Sequence, residues 1–153
     1  MLTLVAGTVA LDQMIKWLVE TRLPFQEFLP VAPMLALYRT WNEGIAFSLL
    51  RDMPDRWLLV LTGLVIVFVS HLWWRNPPGR AIAHLGYGLI IGGAAGNLID
   101  RAVYGHVVDY ILFHTETWSF AVFNLADSFI TIGAVLIVLD EAIMAIRERK
   151  SRD

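Results

Sequence analysis

Cysteine is absent from the 153 residues, which excludes disulfides, thiolate metal sites and a cysteine nucleophile. Lysine is nearly absent: Lys16 and Lys150 stand alone, so a Ser-Lys dyad has almost nothing to draw on. The histidines, His71, His84, His106 and His114, are scattered singly, and no H-E-x-x-H occurs. No metal centre or other cofactor is expected. Ser128 lacks the glycine-flanked helix start that a Ser-His intramembrane protease would want. Charged residues make up only 17% of the chain, against roughly a quarter in soluble domains. The net charge of −2 leaves no electrostatic footprint for nucleic acid.

What fills the space is apolar. Hydrophobic residues make up 57% of the chain and the mean hydropathy is +0.59. Four apolar runs, at about 2–19, 57–74, 82–99 and 120–143, approach or exceed the roughly 20 residues that cross a hydrocarbon core as a helix. The expected fold is therefore an all-α membrane protein, a single domain over 1–153 with four transmembrane helices. The first run has no basic n-region and no A-x-A-like exit, and Asp12 and Lys16 interrupt it, so it reads as a retained helix and not a signal peptide. The turn "RNPPGR" and the tail "RERKSRD" concentrate positive charge, which places both of them, and both termini, on the cytoplasmic side. The loop at about 20–56 and the segment from about Arg101 to Ser119 then lie outside. The long loop mixes β-branched and aromatic residues with prolines and a turn at Asn42-Glu43-Gly44. It is expected to form a small β-like region at the membrane surface, with Trp41, Phe47 and Trp57 in the interfacial belt.

Polar residues inside apolar helices are the natural functional candidates. Asp12 and Lys16 lie four apart on one face of the first helix, where an ion pair and a catalytic role for Asp12 both remain open. The third helix carries Gly88, Gly92, Gly93 and Gly96, a pattern for close helix packing. Asn97, Asp100 and Arg101 come next on one face at its outer end, where Arg101 is placed to snorkel, to bind a substrate carbonyl or to anchor a loop. Asn124 and Asp127 lie three apart at the start of the fourth helix. An unpaired carboxylate at Asp127 would be strongly disfavoured, so a partner is implied. Asp109, in "VVDYI" at the end of the third helical unit, returns to the same surface and is the best candidate. Two carboxylates held together share a proton, which makes one a base towards water and the other an acid towards a carbonyl. Two other readings compete. A small proton-coupled carrier would relay protons through Asp12, Asp100 and Asp127, and a non-catalytic assembly subunit would use the acids as ion pairs.

Four blocks in order, "DQMIK", "WNEGIAFSLL", "GGAAGNLIDRAVYGHVVDYI" and "FNLADSFITIG", resemble the lipoprotein signal peptidases, or signal peptidase II, of bacterial inner membranes. The resemblance covers essentially the whole chain. It implies an aspartic endopeptidase that cuts prolipoprotein signal peptides just before the diacylglyceryl-modified cysteine. Asp109 and Asp127 carry over as the catalytic dyad, near the outer leaflet. Asp12, Asn42, Asn97, Arg101 and Asn124 carry over as polar residues around it, and Gly44 and Asp100 fall within the same blocks as supporting residues. The expected partners are lipidated prolipoproteins, membrane lipids and cyclic peptide antibiotics such as globomycin, and the chain is expected to act as a monomer without nucleic acid.

Overall fold

The computed structural model describes residues 2–44 and 55–150. The elements in chain order are α1 (Leu2–Arg22), β1 (Leu29–Ala32), β2 (Leu35–Asn42), α2 (Asp55–Arg75), α3 (Ala81–Tyr104), β3 (Val107–Phe113) and α4 (Leu125–Lys150). Residues Ile45 to Leu50 of the "WNEGIAFSLL" block, Phe47 among them, lie outside the described residues.

All four helices are long and apolar enough to cross a membrane. Their outward faces remain greasy: Leu64, Val67 and Phe68 on α2 are each more than half exposed, as is Val138 on α4. Side chains of this kind facing outward suit hydrocarbon as the surrounding solvent.

α3 meets α1 and α4 through glycine. α3 is the central element and carries two seams. On one, a Cβ at Gly88 would strike Leu4, one at Gly92 would strike Thr8 and one at Gly96 would strike Asp12, all on α1. On the other, Gly86 of α3 and Gly133 of α4 lie backbone to backbone, and Gly93 lies against the Ala126 carbonyl. Small residues allow this approach in lipid, where no hydrophobic force drives helices together. The seam toward α1 has the four-residue spacing seen in the sequence; the seam toward α4 uses Gly86 and Gly93, seven apart.

The helix ends depart from the apolar runs for local reasons. α3 continues to Tyr104 because Gly105, at φ 77, takes the left-handed conformation that closes a helix and returns its N–H to the Arg101 carbonyl at 3.1 Å. α4 begins at Leu125 and not near Phe120. The residues before it pair with β3 instead: the Phe120 N–H donates to the Phe113 carbonyl at 2.8 Å and that of Phe123 to the Ile111 carbonyl at 3.0 Å. At its far end α4 runs on to Lys150, so the basic tail is helical that far.

The three strands form one antiparallel sheet in the order β1-β2-β3. The long loop supplies β1 and β2 as a hairpin, and β3 comes from the segment after α3, with Thr40 opposite Asp109 and Asn42 opposite Val107. Asp109 therefore sits on a strand, a correction to its expected place at the end of a helical unit. A register shift between Leu37 and Thr40 interrupts the β2–β3 ladder. The sheet packs on the helices through a small core of Val19, Val108 and Tyr110, joined by Ile15, Leu37 and Leu125. Arg39 ties β2 to the end of α1. Its guanidinium meets Glu20 Oε2 at 2.9 Å, donates to the Glu20 and Leu23 carbonyls at 3.0 and 2.9 Å, and lies over the Phe25 ring.

The bundle thus has two unlike ends. One carries the sheet, the end of α3 and the start of α4. At the other, Arg80 beside the α2–α3 turn pairs with Asp140 and Glu141 on α4, and Trp73 Nε1 donates to His84 Nδ1 at 2.8 Å.

Candidate active site

The start of α4 is a reciprocal cap. The Asn124 Oδ1 accepts from the Asp127 N–H at 2.9 Å, while Asp127 Oδ2 accepts from the Asn124 N–H at 3.2 Å. This is the geometry of a capping box, built here from Asn and Asp three apart. Two more N–H groups of the first turn, which no helical carbonyl can reach, find side chains. Leu125 donates to the Tyr110 hydroxyl at 3.2 Å and Ala126 to Asp12 Oδ1 at 3.1 Å. Burial pushes the Tyr110 phenol up to about 12, with the Leu125 bond opposing that shift. The hydroxyl is neutral and serves as the acceptor.

Around this turn three amide side chains hold two carboxylates. Asn42 Nδ2 donates to Asp109 Oδ2 at 2.8 Å and Asn124 Nδ2 to Asp109 Oδ1 at 2.6 Å. Asn97 Nδ2 donates to Asp127 Oδ1 at 2.8 Å. With the Asn124 N–H on Asp127 Oδ2, all four carboxylate oxygens accept a hydrogen bond. Among the described residues neither Asp109 nor Asp127 enters an ion pair. Each amide is oriented by a donor on its oxygen. The Gly44 N–H reaches Asn42 Oδ1 at 3.0 Å, Lys16 Nζ reaches Asn97 Oδ1 at 2.9 Å, and the Asp127 N–H occupies Asn124 Oδ1. With the oxygens occupied, the amide nitrogens are left to face the acids.

Asp109 is almost fully buried, at 1% exposure. Burial first, and the neighbouring Asp127 charge second, push its carboxyl up from 3.8 to about 7. The bonds from Asn42 and Asn124, and Lys16 at longer range, oppose that rise. The direction is that of a carboxyl which retains its proton far above the ordinary range.

Asp12 and Asp100 belong to a second cluster behind this one. Lys16 Nζ pairs with Asp12 Oδ2 at 2.9 Å and Asp100 Oδ2 at 2.8 Å. Gln13 Nε2 donates to Asp100 Oδ1 at 2.7 Å and to the Gly96 carbonyl at 3.2 Å. All three charged groups are buried. Of the two openings left for Asp12, the structure shows the ion pair. Arg101 reaches the loop, with Nη2 donating to the Gly44 carbonyl at 2.8 Å. It anchors the residue whose N–H orients Asn42. Sequence reasoning placed Asn97, Asn124, Asp109 and Asp127 together and offered Lys16 as the partner of Asp12, which the structure shows. It missed the further reach of Lys16 to Asp100 and Asn97, and missed Gln13 and Tyr110 as members of the network.

Asn42, Asn97, Arg101 and Asp127 open onto a cavity of about 740 Å³. Its other walls are mainly apolar, with Val107, Phe120, Val122, Phe123, Ile130 and Ile132 among them. The cavity offers an apolar bed with a polar end. Among the described residues no three metal-ligating side chains are grouped to hold an ion.

The fold is shared with solved bacterial membrane enzymes. One, determined in meso at 2.3 Å, superposes with a TM-score of 0.82 at 26% identity, covering 99% of this chain and 90% of that one. A second, at 1.9 Å, gives 0.80 at 27% identity, covering 90% of this chain and 89% of that one. Residues 4–143 match the family described as signal peptidase (SPase) II. The lipoprotein signal peptidase of Mesorhizobium japonicum is 62% identical over 140 residues, 92% of this chain and 83% of that protein. That of Brucella ovis is 57% identical over 143 residues, 94% and 89% of the two chains. The chain belongs to the signal peptidase II family, the lipoprotein signal peptidases, and is accordingly a protease.

Proposed function

We propose that this protein is an aspartic endopeptidase that removes the signal peptide of prolipoproteins, cutting before the diacylglyceryl-modified cysteine. Asp109 and Asp127 share one proton. The ionised member takes a proton from water as the water attacks the scissile carbonyl, and the protonated member donates to the carbonyl oxygen. The proton then passes to the leaving nitrogen as the C–N bond breaks. The observation that carries this reading is the amide cage at the wall of a largely apolar cavity. Its four carboxylate oxygens each hold a donor, and among the described residues no cation pairs with either acid. The raised Asp109 carboxyl supports it, because a proton is then available near neutral pH.

Asn42, Asn97 and Asn124 are supporting groups that fix the carboxylates, and Gly44 and Arg101 fix Asn42. Asp12 and Asp100 support the start of α4 and the β3 backbone, through bonds from the Ala126 and Val108 N–H groups. The protein resides in the bacterial inner membrane as one multi-pass domain with both termini cytoplasmic, supported by the basic α2–α3 turn and the basic end of α4. The dyad then lies near the outer leaflet, where a substrate held by its diacylglycerol arrives laterally from the lipid. Lateral delivery of an anchored substrate makes the encounter nearly intramolecular. The protein works as a monomer, and globomycin-like cyclic peptides occupy the same cavity.

The test is to incubate the purified protein with diacylglyceryl-modified and unmodified precursor and to locate the cut by mass spectrometry. Cleavage of the modified precursor alone, immediately before the cysteine, is expected. Failure to cut it, or a cut elsewhere, overturns the reading. A small proton-coupled carrier, the other reading open to the sequence, predicts acids spread through the membrane depth. Asp12 and Asp100 are instead locked to Lys16, so no observation favours it.

A further inference from the structure

Between β3 and α4 the chain carries main-chain groups that the proposed chemistry leaves unused. Ile111 and Phe123 exchange two hydrogen bonds, Ile111 N–H to Phe123 O at 2.8 Å and Phe123 N–H to Ile111 O at 3.0 Å. Together with the Phe120 bond to Phe113, these make residues 120–123 an irregular added strand along β3. In an antiparallel ladder, the residue beside a doubly bonded pair turns its N–H and C=O to the opposite edge. Val122 is that residue. Among the described residues neither Val122 nor Ala121 makes a hydrogen bond. Both line the same cavity as Asp127.

An open edge of this kind can be covered by another strand. Peptides bind such edges through main-chain hydrogen bonds that are indifferent to sequence, while pockets for alternate side chains supply the selectivity. The cavity provides the second part, since Val107, Ile130 and Ile132 line it with apolar side chains. A lipid chain would satisfy this apolar wall but would leave the N–H and C=O groups without partners, so the combination favours a peptide.

We infer that the open edge at Ala121–Val122 binds the main chain of the substrate peptide as an added β-strand, leading the scissile bond to Asp127. This rests on the peptidase reading above and deepens it. It has a consequence for the substrate: the stretch beside the scissile bond is extended when bound, although a signal peptide crosses the membrane as a helix. Specificity in that stretch is then carried by every second side chain, with the main chain contributing affinity at any sequence.

The experiment is an ester scan. In a synthetic diacylglyceryl-modified precursor, single amides upstream of the scissile bond are replaced by esters, one at a time, which removes one N–H donor each. The scissile amide itself is kept. With the full-length protein, one position should lose about tenfold in kcat/KM, a loss of the size expected for one main-chain hydrogen bond. Its immediate neighbours should change by less than about threefold, giving the two-residue alternation of a strand. Uniform sensitivity, or none at any position, overturns the strand pairing while leaving the peptidase intact. No cleavage of the all-amide parent overturns the peptidase reading and the pairing with it. On the protein side, Val122→Pro removes the N–H and should lower kcat/KM by about tenfold or more. The ester scan needs no altered protein and decides the matter if that variant does not fold.

Discussion

The molecule holds two pairs of acids only a few side chains apart, three of the four buried and Asp127 open to the cavity, and their partners differ in kind. Asp12 and Asp100 share a cation, Lys16, with Gln13 completing the set. Asp109 and Asp127 are held by amide groups. A lysine between two carboxylates offsets one of their two charges and ties α1 to α3. Amides donate hydrogen bonds without supplying a counter-charge, and the proposed function has the second pair carry a proton instead. Similar acids are fastened by a cation in one place and, on the proposed function, carry a proton in the other. Asn97 joins the two, accepting from Lys16 with its oxygen and donating to Asp127 with its nitrogen.

The largest effect that separates the pairs should come from Asp109→Asn and Asp127→Asn. Each should lower cleavage by about 10²–10⁴-fold or more, the range for losing a general acid or base, while the protein still folds in detergent. Substantial turnover in either variant would remove the dyad. Lys16→Met should do the converse to the first pair. Two carboxylates left without their cation should destabilise the fold by about 3–5 kcal/mol. Adding Asp12→Asn and Asp100→Asn should recover most of the melting temperature, and a Lys16→Met variant that melts like the parent would show that the cation is not the fastener. Gly93→Ala should cost about 1–3 kcal/mol as an overpacked site, because its Cβ would press on the Ala126 carbonyl. Thermal melting is again the measure.

The smallest effect concerns pH. Burial, then Asp127, hold the Asp109 carboxyl at about 7 instead of 3.8. Stability gained from the neutral form is complete below the ordinary value and is lost as pH rises through about 7. The proton that the proposed mechanism assigns to the two acids is lost over the same window, so kcat/KM should fall on its alkaline side there as a property of the pair. Asn42 donates to the charged form and so pulls against this rise. Asn42→Ala should move the alkaline limb of the kcat/KM profile to higher pH; a limb that stays or moves down contradicts the assignment.

Much of this was legible in the sequence, unevenly. Helices α1 and α2 match the apolar runs to within a few residues, because length and hydropathy suffice to define a span. The Asn124–Asp127 spacing already marked one face, and the glycines of α3 already marked close packing. β3 was not legible as a strand. "VVDYILF" could belong to a helix end or an extended segment, and its pairing with β2 depends on residues far away along the chain. For the same reason the partner of Asp12 could be read from its own helix, as Lys16, while Asp100 joined them only through the register of α1 on α3. Phe120 and Phe123 misled the boundary of α4, since apolar residues in an added strand look the same in one dimension as those of a helix.

The reciprocal cap between Asn124 and Asp127 ties the working parts to the most easily opened turn of a helix. Helix ends fray at a fraction of the free energy needed to melt the whole. Each opening of the first turn of α4 withdraws Asp127 and Asn124 together, and with them the amide that steadies Asp109. Heat or a harsh detergent should therefore silence the protein while the bundle is still assembled, and cooling should restore it without refolding. The operating range of the molecule is set by one helical turn and its side-chain fastenings, and only beyond that by the stability of the four helices.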